Sequence, residues 1–157
     1  MALTTNHKEK ISLDSATTHI LEECRMVLPG IQALFGFQLI AVFNSGFAEK
    51  LSTFEQQLHL ISILLIVMAI ALVMAPAAFH RQTQPCAVSE RFLQITSRFL
   101  LWSMLSLAVG ICLEVYLISR IILLSSAAAA AIAAVLLAVF LVLWLGLPCW
   151  EKKVDGQ

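Results

Sequence analysis

Glu114 is the one acidic residue that we place inside the long apolar segments of this 157-residue chain. A carboxyl group is costly to bury in a membrane, so such a residue is a functional hypothesis by default. Counting along the predicted helices gives four other polar residues a similar depth, toward the outer side of the membrane: Asn44, His59, Ser62 and Arg120. We predict that these residues form one polar cluster with Glu114.

Two interpretations of this cluster stay open. A buried carboxyl group beside an imidazole, which titrates near neutral pH, could bind or pass a proton or a cation. Alternatively, Glu114 lies about one helical turn from the outer boundary of the membrane. There it could reach water, or pair with His59 or Arg120 in a structural role. The first interpretation requires that Glu114→Gln changes what the protein does.

A second set of residues follows one face of the helix that carries Glu114. Ser103, Ser106, Gly110 and Glu114 recur at intervals of three and four, which places them on the same side. Small and hydroxyl side chains allow another helix to approach closely and can form hydrogen bonds across the contact. Gln38 should lie near the depth of Ser106 and Gly110. We therefore expect this face to point into a helix bundle.

The sequence gives no indication of a catalytic or metal site. The four cysteines and four histidines lack paired ligand spacing, and no Gly-rich phosphate loop or Ser–His–Asp order is present. A net charge of zero does not indicate a nucleic-acid partner. We therefore predict a non-enzymatic protein without metal or cofactor.

Composition places the chain in the membrane. Its hydrophobic fraction is 60% and its charged fraction 13%, against about 45–50% and about 25% in soluble domains. We predict four spans at about 27–47, 58–79, 99–118 and 127–147. The apolar run from Phe99 to Leu147 is too long for one helix across a hydrocarbon core of about 30 Å. It must fold back at the polar cluster between Ser119 and Ser126.

The segments outside the spans are predicted from their polarity. Residues 1–13 are expected to be disordered. Residues 14–28 alternate apolar and polar faces, which indicates an interfacial helix that ends or kinks at Pro29-Gly30. The third helix is expected to begin in the cytosol near Pro85, and residues 148–157 form a cytoplasmic tail.

Charge sets the predicted orientation. Eight of the ten Lys and Arg residues lie on one side of the four-span arrangement, so both termini should be cytoplasmic. The cysteines on that side then face a reducing compartment and are expected to be unpaired. Six charged residues form a candidate cytoplasmic surface, whose members either pack together or face solvent and headgroups: Glu22, Glu23, Arg25, Arg81, Arg91 and Arg98. The predicted fold is thus an all-α integral membrane four-helix bundle.

Two segments carry a resemblance to a known family. The stretch from Glu22 to Leu39, with the end of the second span from Ala75 to Arg81, resembles an uncharacterised family of small bacterial four-span membrane proteins. The resemblance covers roughly residues 18–150. It implies a bacterial inner-membrane location and four transmembrane helices, and it implies no activity.

Three functions are compatible with these features. The first is an accessory, stress-related or assembly factor that acts through helix–helix contacts with a membrane-protein partner or with further copies of itself. The second is a small oligomeric proton or cation transporter or channel that uses Glu114 and His59. The third is a membrane sensor that uses the basic cytoplasmic surface. A Glu114 sealed between helices favours the first, and one that faces a water-filled cleft favours the second.

Overall fold

The computed structural model describes residues 2–83 and 90–146, and every regular element in these ranges is helical. The elements are α1 (Ala2–Val42), α2 (Phe47–Lys50), α3 (Thr53–Thr83), α4 (Glu90–Leu123) and α5 (Ser126–Leu141), followed by a π-helical turn at Val142–Gly146. The predicted start of the third helix near Pro85 and the predicted cytoplasmic tail at 148–157 lie outside the described residues.

Four of the helices are long and apolar enough to cross a membrane. The qualifying segments are Thr18–Val42, Thr53–Phe79, Gln94–Leu123 and Ser126–Trp144. Large apolar side chains are exposed along them, such as Phe37 on α1 and Ile122 on α4. Outward-facing apolar residues of this number need a hydrocarbon environment. The prediction of an all-α protein with four helices of membrane-spanning length is confirmed.

The first helix differs from its predicted bounds at both ends. It begins at Ala2 and continues through Pro29, whereas we expected disorder up to residue 13 and a boundary at Pro29-Gly30. No Pro or Gly precedes Pro29, so nothing in this segment breaks a helix. One proline removes a single backbone hydrogen bond, a loss that membrane helices tolerate.

At its other end α1 stops at Val42, five residues short of the expected end of the first span. A turn follows, in which the Gly46 backbone N–H donates to Asn44 Oδ1 at 3.1 Å and the Phe47 N–H donates to the Asn44 carbonyl at 2.9 Å. An asparagine side chain that closes such a turn competes with the helix for backbone hydrogen bonds. The helix therefore ends before Asn44.

The turn between α4 and α5 is shorter than the predicted one and lies at its far end. Only Leu124 and Ser125 separate the two helices, so Arg120 remains inside α4. Leu124 has a left-handed backbone with φ 54°, and its N–H donates to the Arg120 carbonyl at 3.0 Å. Ser125 Oγ accepts a hydrogen bond from the Ala128 N–H at 3.4 Å and caps α5.

Leu124→Gly is expected to raise the free energy of unfolding by about 1 kcal/mol, because glycine adopts positive φ without the clash that a Cβ atom produces. Leu124 is 87% exposed, so its side chain contributes little packing. Thermal unfolding in detergent micelles, followed by circular dichroism, measures the change. Ile122→Gly, at an exposed position before the last residue of α4, should instead lower stability by about 1 kcal/mol. Two changes of equal sign would contradict the assignment of strain to Leu124.

The chain divides into two compact packing units. One comprises the chain up to Val42 with Ile66–Ser106, and the other comprises Phe43–Leu65 with the chain from Leu107 onward. The first unit buries Cys24, Ile31 and Gln38 at seven-residue intervals along α1. The second contains α2, the beginning of α3, the end of α4, and α5. It carries the candidate polar site.

Candidate functional site

The site begins at the N-terminus of α3, where Ser52 and Glu55 cap the helix reciprocally. The Ser52 N–H donates to Glu55 Oε2 at 2.8 Å, and the Ser52 hydroxyl donates to the same oxygen at 2.7 Å. The Glu55 N–H in turn lies 3.4 Å from Ser52 Oγ. Serine followed three residues later by glutamate is the sequence signature of this capping box. The cap therefore holds the Glu55 carboxylate in a fixed position.

The second oxygen of Glu55 faces Arg120. Glu55 Oε1 lies 2.9 Å from Arg120 Nε, and the carboxylate is nearly buried whereas the arginine side chain is 39% exposed. Arg120 belongs to the last turn of α4, where the helix dipole favours a cation. One carboxylate thus connects the beginning of α3 to the end of α4.

His59 and Glu114 form the second polar contact of the site. His59 Nδ1 lies 2.8 Å from Glu114 Oε1, and the side chains are 4% and 15% exposed. The ring of Phe47 on α2 lies 5.1 Å from the imidazole, centroid to centroid, and is tilted by 60°. The pair is therefore enclosed by α2, α3 and α4.

The two contacts are short but are not well-aligned hydrogen bonds. Both the Glu55 and the Glu114 Oε1 atoms are buried, and neither has a donor in hydrogen-bond geometry despite the short separations from Arg120 and His59. Two carboxylates and one guanidinium leave one negative charge in excess.

Ser62 extends the site one turn deeper along α3. Its side chain is fully buried, and its hydroxyl donates to the Gly110 carbonyl on α4 at 3.0 Å. Glu55, His59 and Ser62 are spaced by four and three residues and share one face of α3. This face lies against the face of α4 that carries Gly110 and Glu114.

The structure brings together part of the predicted cluster. His59, Ser62 and Glu114 lie in contact with each other or with neighbouring backbone across α3 and α4. Arg120 belongs to the same unit, but its ionic partner is Glu55. Asn44 is exposed and closes the turn after α1 instead of joining the cluster. Its position follows from the early end of that helix.

Glu55 is the residue that the sequence analysis missed. We placed it in a polar loop before a span that begins near residue 58, whereas α3 begins at Thr53. The spans of the structure contain more acidic residues than the expected one: Thr53–Phe79 includes Glu55, and Thr18–Val42 includes Glu22 and Glu23 near its beginning. The spacing of Ser52 and Glu55 directly ahead of an apolar run was the available signal.

The other residues predicted to face the bundle, Gln38, Ser103 and Ser106, lie in the first packing unit. Ser103 and Gln38 are buried and Ser106 is half-buried. The Ser103 hydroxyl donates to the Leu100 carbonyl of its own helix at 2.7 Å. It is thus satisfied locally rather than by a neighbouring helix.

The charged surface consists mainly of exposed side chains. Glu22, Glu23, Arg25, Arg81 and Arg98 are exposed, while the Arg91 side chain lies outside the described part of the structure. His19 Nδ1 lies 3.9 Å from Glu22 Oε2, in an exposed contact of little energetic weight. Within the described side chains, the structure shows no ion pair between the two glutamates and the three arginines.

The described residues also bear on metal binding. Among them, no group of three or more His, Cys, Asp or Glu side chains could hold a metal ion. Cys24 and Cys112 are buried free thiols.

Comparison with known families assigns the chain. A family model matches residues 6–148, which is most of the sequence. The chain belongs to the DUF6328 family of unknown function. No curated protein and no solved structure matches this DUF6328 member. The His59–Glu114 and Glu55–Arg120 contacts of its second unit are therefore the main basis for a functional proposal.

Proposed function

We propose that this protein is a non-enzymatic accessory or assembly factor of the membrane, which acts through helix–helix contacts. The observation that carries the proposal is the enclosure of His59 and Glu114, which are 4% and 15% exposed and lie 2.8 Å apart. A transport site needs access to water and a group that is free to exchange its ion. In this site each carboxylate already faces a cationic or protonatable partner.

The proposed partner surface is the fourth long helix. Ala129 is the only buried residue described in α5, and the alanines around it are largely exposed. Small side chains let a neighbouring helix approach closely in a membrane. The partner is another membrane protein or a second copy of this chain, and the charged pairs hold the beginning of α3 and the end of α4 in place behind that surface.

Ion flux in liposomes tests this proposal against the competing one. Proton and sodium flux should be absent from vesicles that contain the folded wild-type protein and equally absent with Glu114→Gln. The competing function, a proton or cation transporter, is favoured by the same short His59–Glu114 contact. Flux in the wild type that disappears in Glu114→Gln would assign the pair to conduction and reject the accessory function. Glu49→Gln, an exposed carboxylate on α2, is the matched control.

We further propose that the protein resides in a bacterial inner membrane with both termini in the cytoplasm. Support comes from the excess of Lys and Arg on one side of the four spans. Green fluorescent protein fused after Gln157 should fluoresce, and alkaline phosphatase at the same position should be inactive. The opposite pattern should appear for fusions at Gly46. Active phosphatase after Gln157 would exclude the proposed orientation.

A further inference from the structure

The first packing unit contains an apolar groove that the proposed function does not use. It lies between α1 and the second half of α3 and has a volume of about 450 Å³, within the range of about 300–1,000 Å³ found for ligand pockets. Its apolar lining includes Leu21, Leu28, Val73 and Met74. Two small side chains of α3, Ala77 and Ala78, also line it and leave room between the helices.

Two arginines line this groove as well. Arg25 on α1 and Arg81 on α3 both contribute to the wall and are both exposed. Within the described side chains, neither has a carboxylate within ion-pair distance. Glu22 and Glu23 lie beside Arg25 in sequence but do not line the groove. The groove therefore combines an apolar wall with two cationic groups that lack an internal counter-charge among the described residues.

The position of the groove relative to the spans identifies the environment of the arginines. Arg81 follows the span Thr53–Phe79 by two residues, and Arg25 lies in the first turns of the span Thr18–Val42. Long arginine side chains near the ends of spans extend toward the headgroup region. Basic pockets between transmembrane helices bind the headgroups of anionic lipids. An apolar wall beside them matches an acyl chain.

We propose that this groove binds one anionic phospholipid, with an acyl chain against the apolar wall and the phosphate on Arg25 and Arg81. The lipid would supply the missing counter-charge and cover apolar surface of α1 and α3. The site prefers anionic over zwitterionic lipid because the two arginines attract net negative charge. This inference is independent of the role proposed for His59 and Glu114.

Native mass spectrometry of the detergent-solubilised protein tests the proposal. The probes are dioleoylphosphatidylglycerol and dioleoylphosphatidylcholine, titrated separately. The wild type should retain phosphatidylglycerol preferentially, and Arg25→Gln/Arg81→Gln should weaken that binding roughly tenfold or more. Arg98→Gln, an exposed arginine of the same unit that does not line the groove, should leave it unchanged. An equal loss of phosphatidylglycerol binding with Arg98→Gln would show that binding depends on general surface charge, and would overturn the proposal.

A second variant tests the groove itself while keeping both arginines. Ala78 is exposed and lines the groove, so Ala78→Trp should fill it without disturbing a buried position. Phosphatidylglycerol binding should fall as it does in the double arginine variant. Unchanged binding by Ala78→Trp, equal retention of the two lipids by the wild type, or displacement of the lipid by millimolar inorganic phosphate would each reject a lipid site in the groove.

Discussion

Glu114→Ala is expected to lower the free energy of unfolding by about 3–5 kcal/mol, because it leaves a cavity and takes away the short buried contact with His59. Glu114 and His59 are largely enclosed, so the imidazole would face a cavity in place of the carboxylate. Equilibrium unfolding in mixed micelles, followed by circular dichroism, measures the loss. An effect of this size exceeds that of a single interhelical hydrogen bond in a membrane, which averages about 0.6 kcal/mol.

A double-mutant cycle separates the pair from its surroundings. His59→Leu and Glu114→Leu should each destabilise the protein, whereas the double variant should recover much of the loss, since neither polar group then lies buried against a leucine. Glu49→Ala, which removes an exposed carboxylate, should change stability by less than about 0.5 kcal/mol. Additive single effects would show that His59 and Glu114 do not interact energetically.

The cycle also bears on the choice between the two proposed functions. A pair that contributes stability but no flux has a structural role, as the accessory proposal requires. If Glu114→Gln were as stable as the wild type, and the wild type showed flux that this variant lacks, the pair would instead serve conduction. The stability measurement and the flux measurement therefore give independent answers about the same two side chains.

The contact between His59 and Glu114 could be predicted from the depth of the two residues in the membrane alone. Helices that cross the same bilayer must align their residues by height, and an acidic residue inside a span points away from lipid. That argument needs only the approximate ends of the spans. It does not need the rotation of each helix about its own axis, because few buried polar residues lie at that depth and could serve as alternative partners.

The partner of Arg120 could not be predicted by the same argument, because it depends on where α3 begins. An error of five residues in that boundary moved Glu55 from a helix into a loop. Helix ends are decided by local capping, which apolar periodicity does not report. Asn44 shows the same effect, since its side chain accepts a hydrogen bond from the Gly46 N–H and closes the turn after α1 instead of entering the bundle.

The turn between α4 and α5 illustrates a different limit. The polar residues from Ser119 to Ser126 indicate that a reversal occurs, but without Gly or Pro they do not fix its position. The structure places a leucine in the left-handed conformation there. A local cost of about 1–2 kcal/mol for a non-glycine residue in this conformation does not prevent the turn from forming at Leu124.

Glu55→Ala is the second substitution with a large expected effect, about 2–4 kcal/mol. It removes a capping box, with a typical cost of about 1 kcal/mol, and the carboxylate that faces Arg120 at 2.9 Å. The arginine is 39% exposed, so water screens it after the change and this second loss is smaller than for a fully buried pair. Unfolding in micelles measures the sum.

Conservative variants divide the expected loss of stability between the capping box and the contact with Arg120. Glu55→Gln removes the charge but keeps an oxygen that can accept from the Ser52 N–H, so it should cost less than Glu55→Ala. Ser52→Ala removes the hydroxyl of the cap and leaves the contact with Arg120, with an expected loss of about 1 kcal/mol. If Glu55→Gln were as damaging as Glu55→Ala while Ser52→Ala were silent, the carboxylate would act through Arg120 alone. The end of α4 would then be held by charge, and the cap would be a local feature of α3.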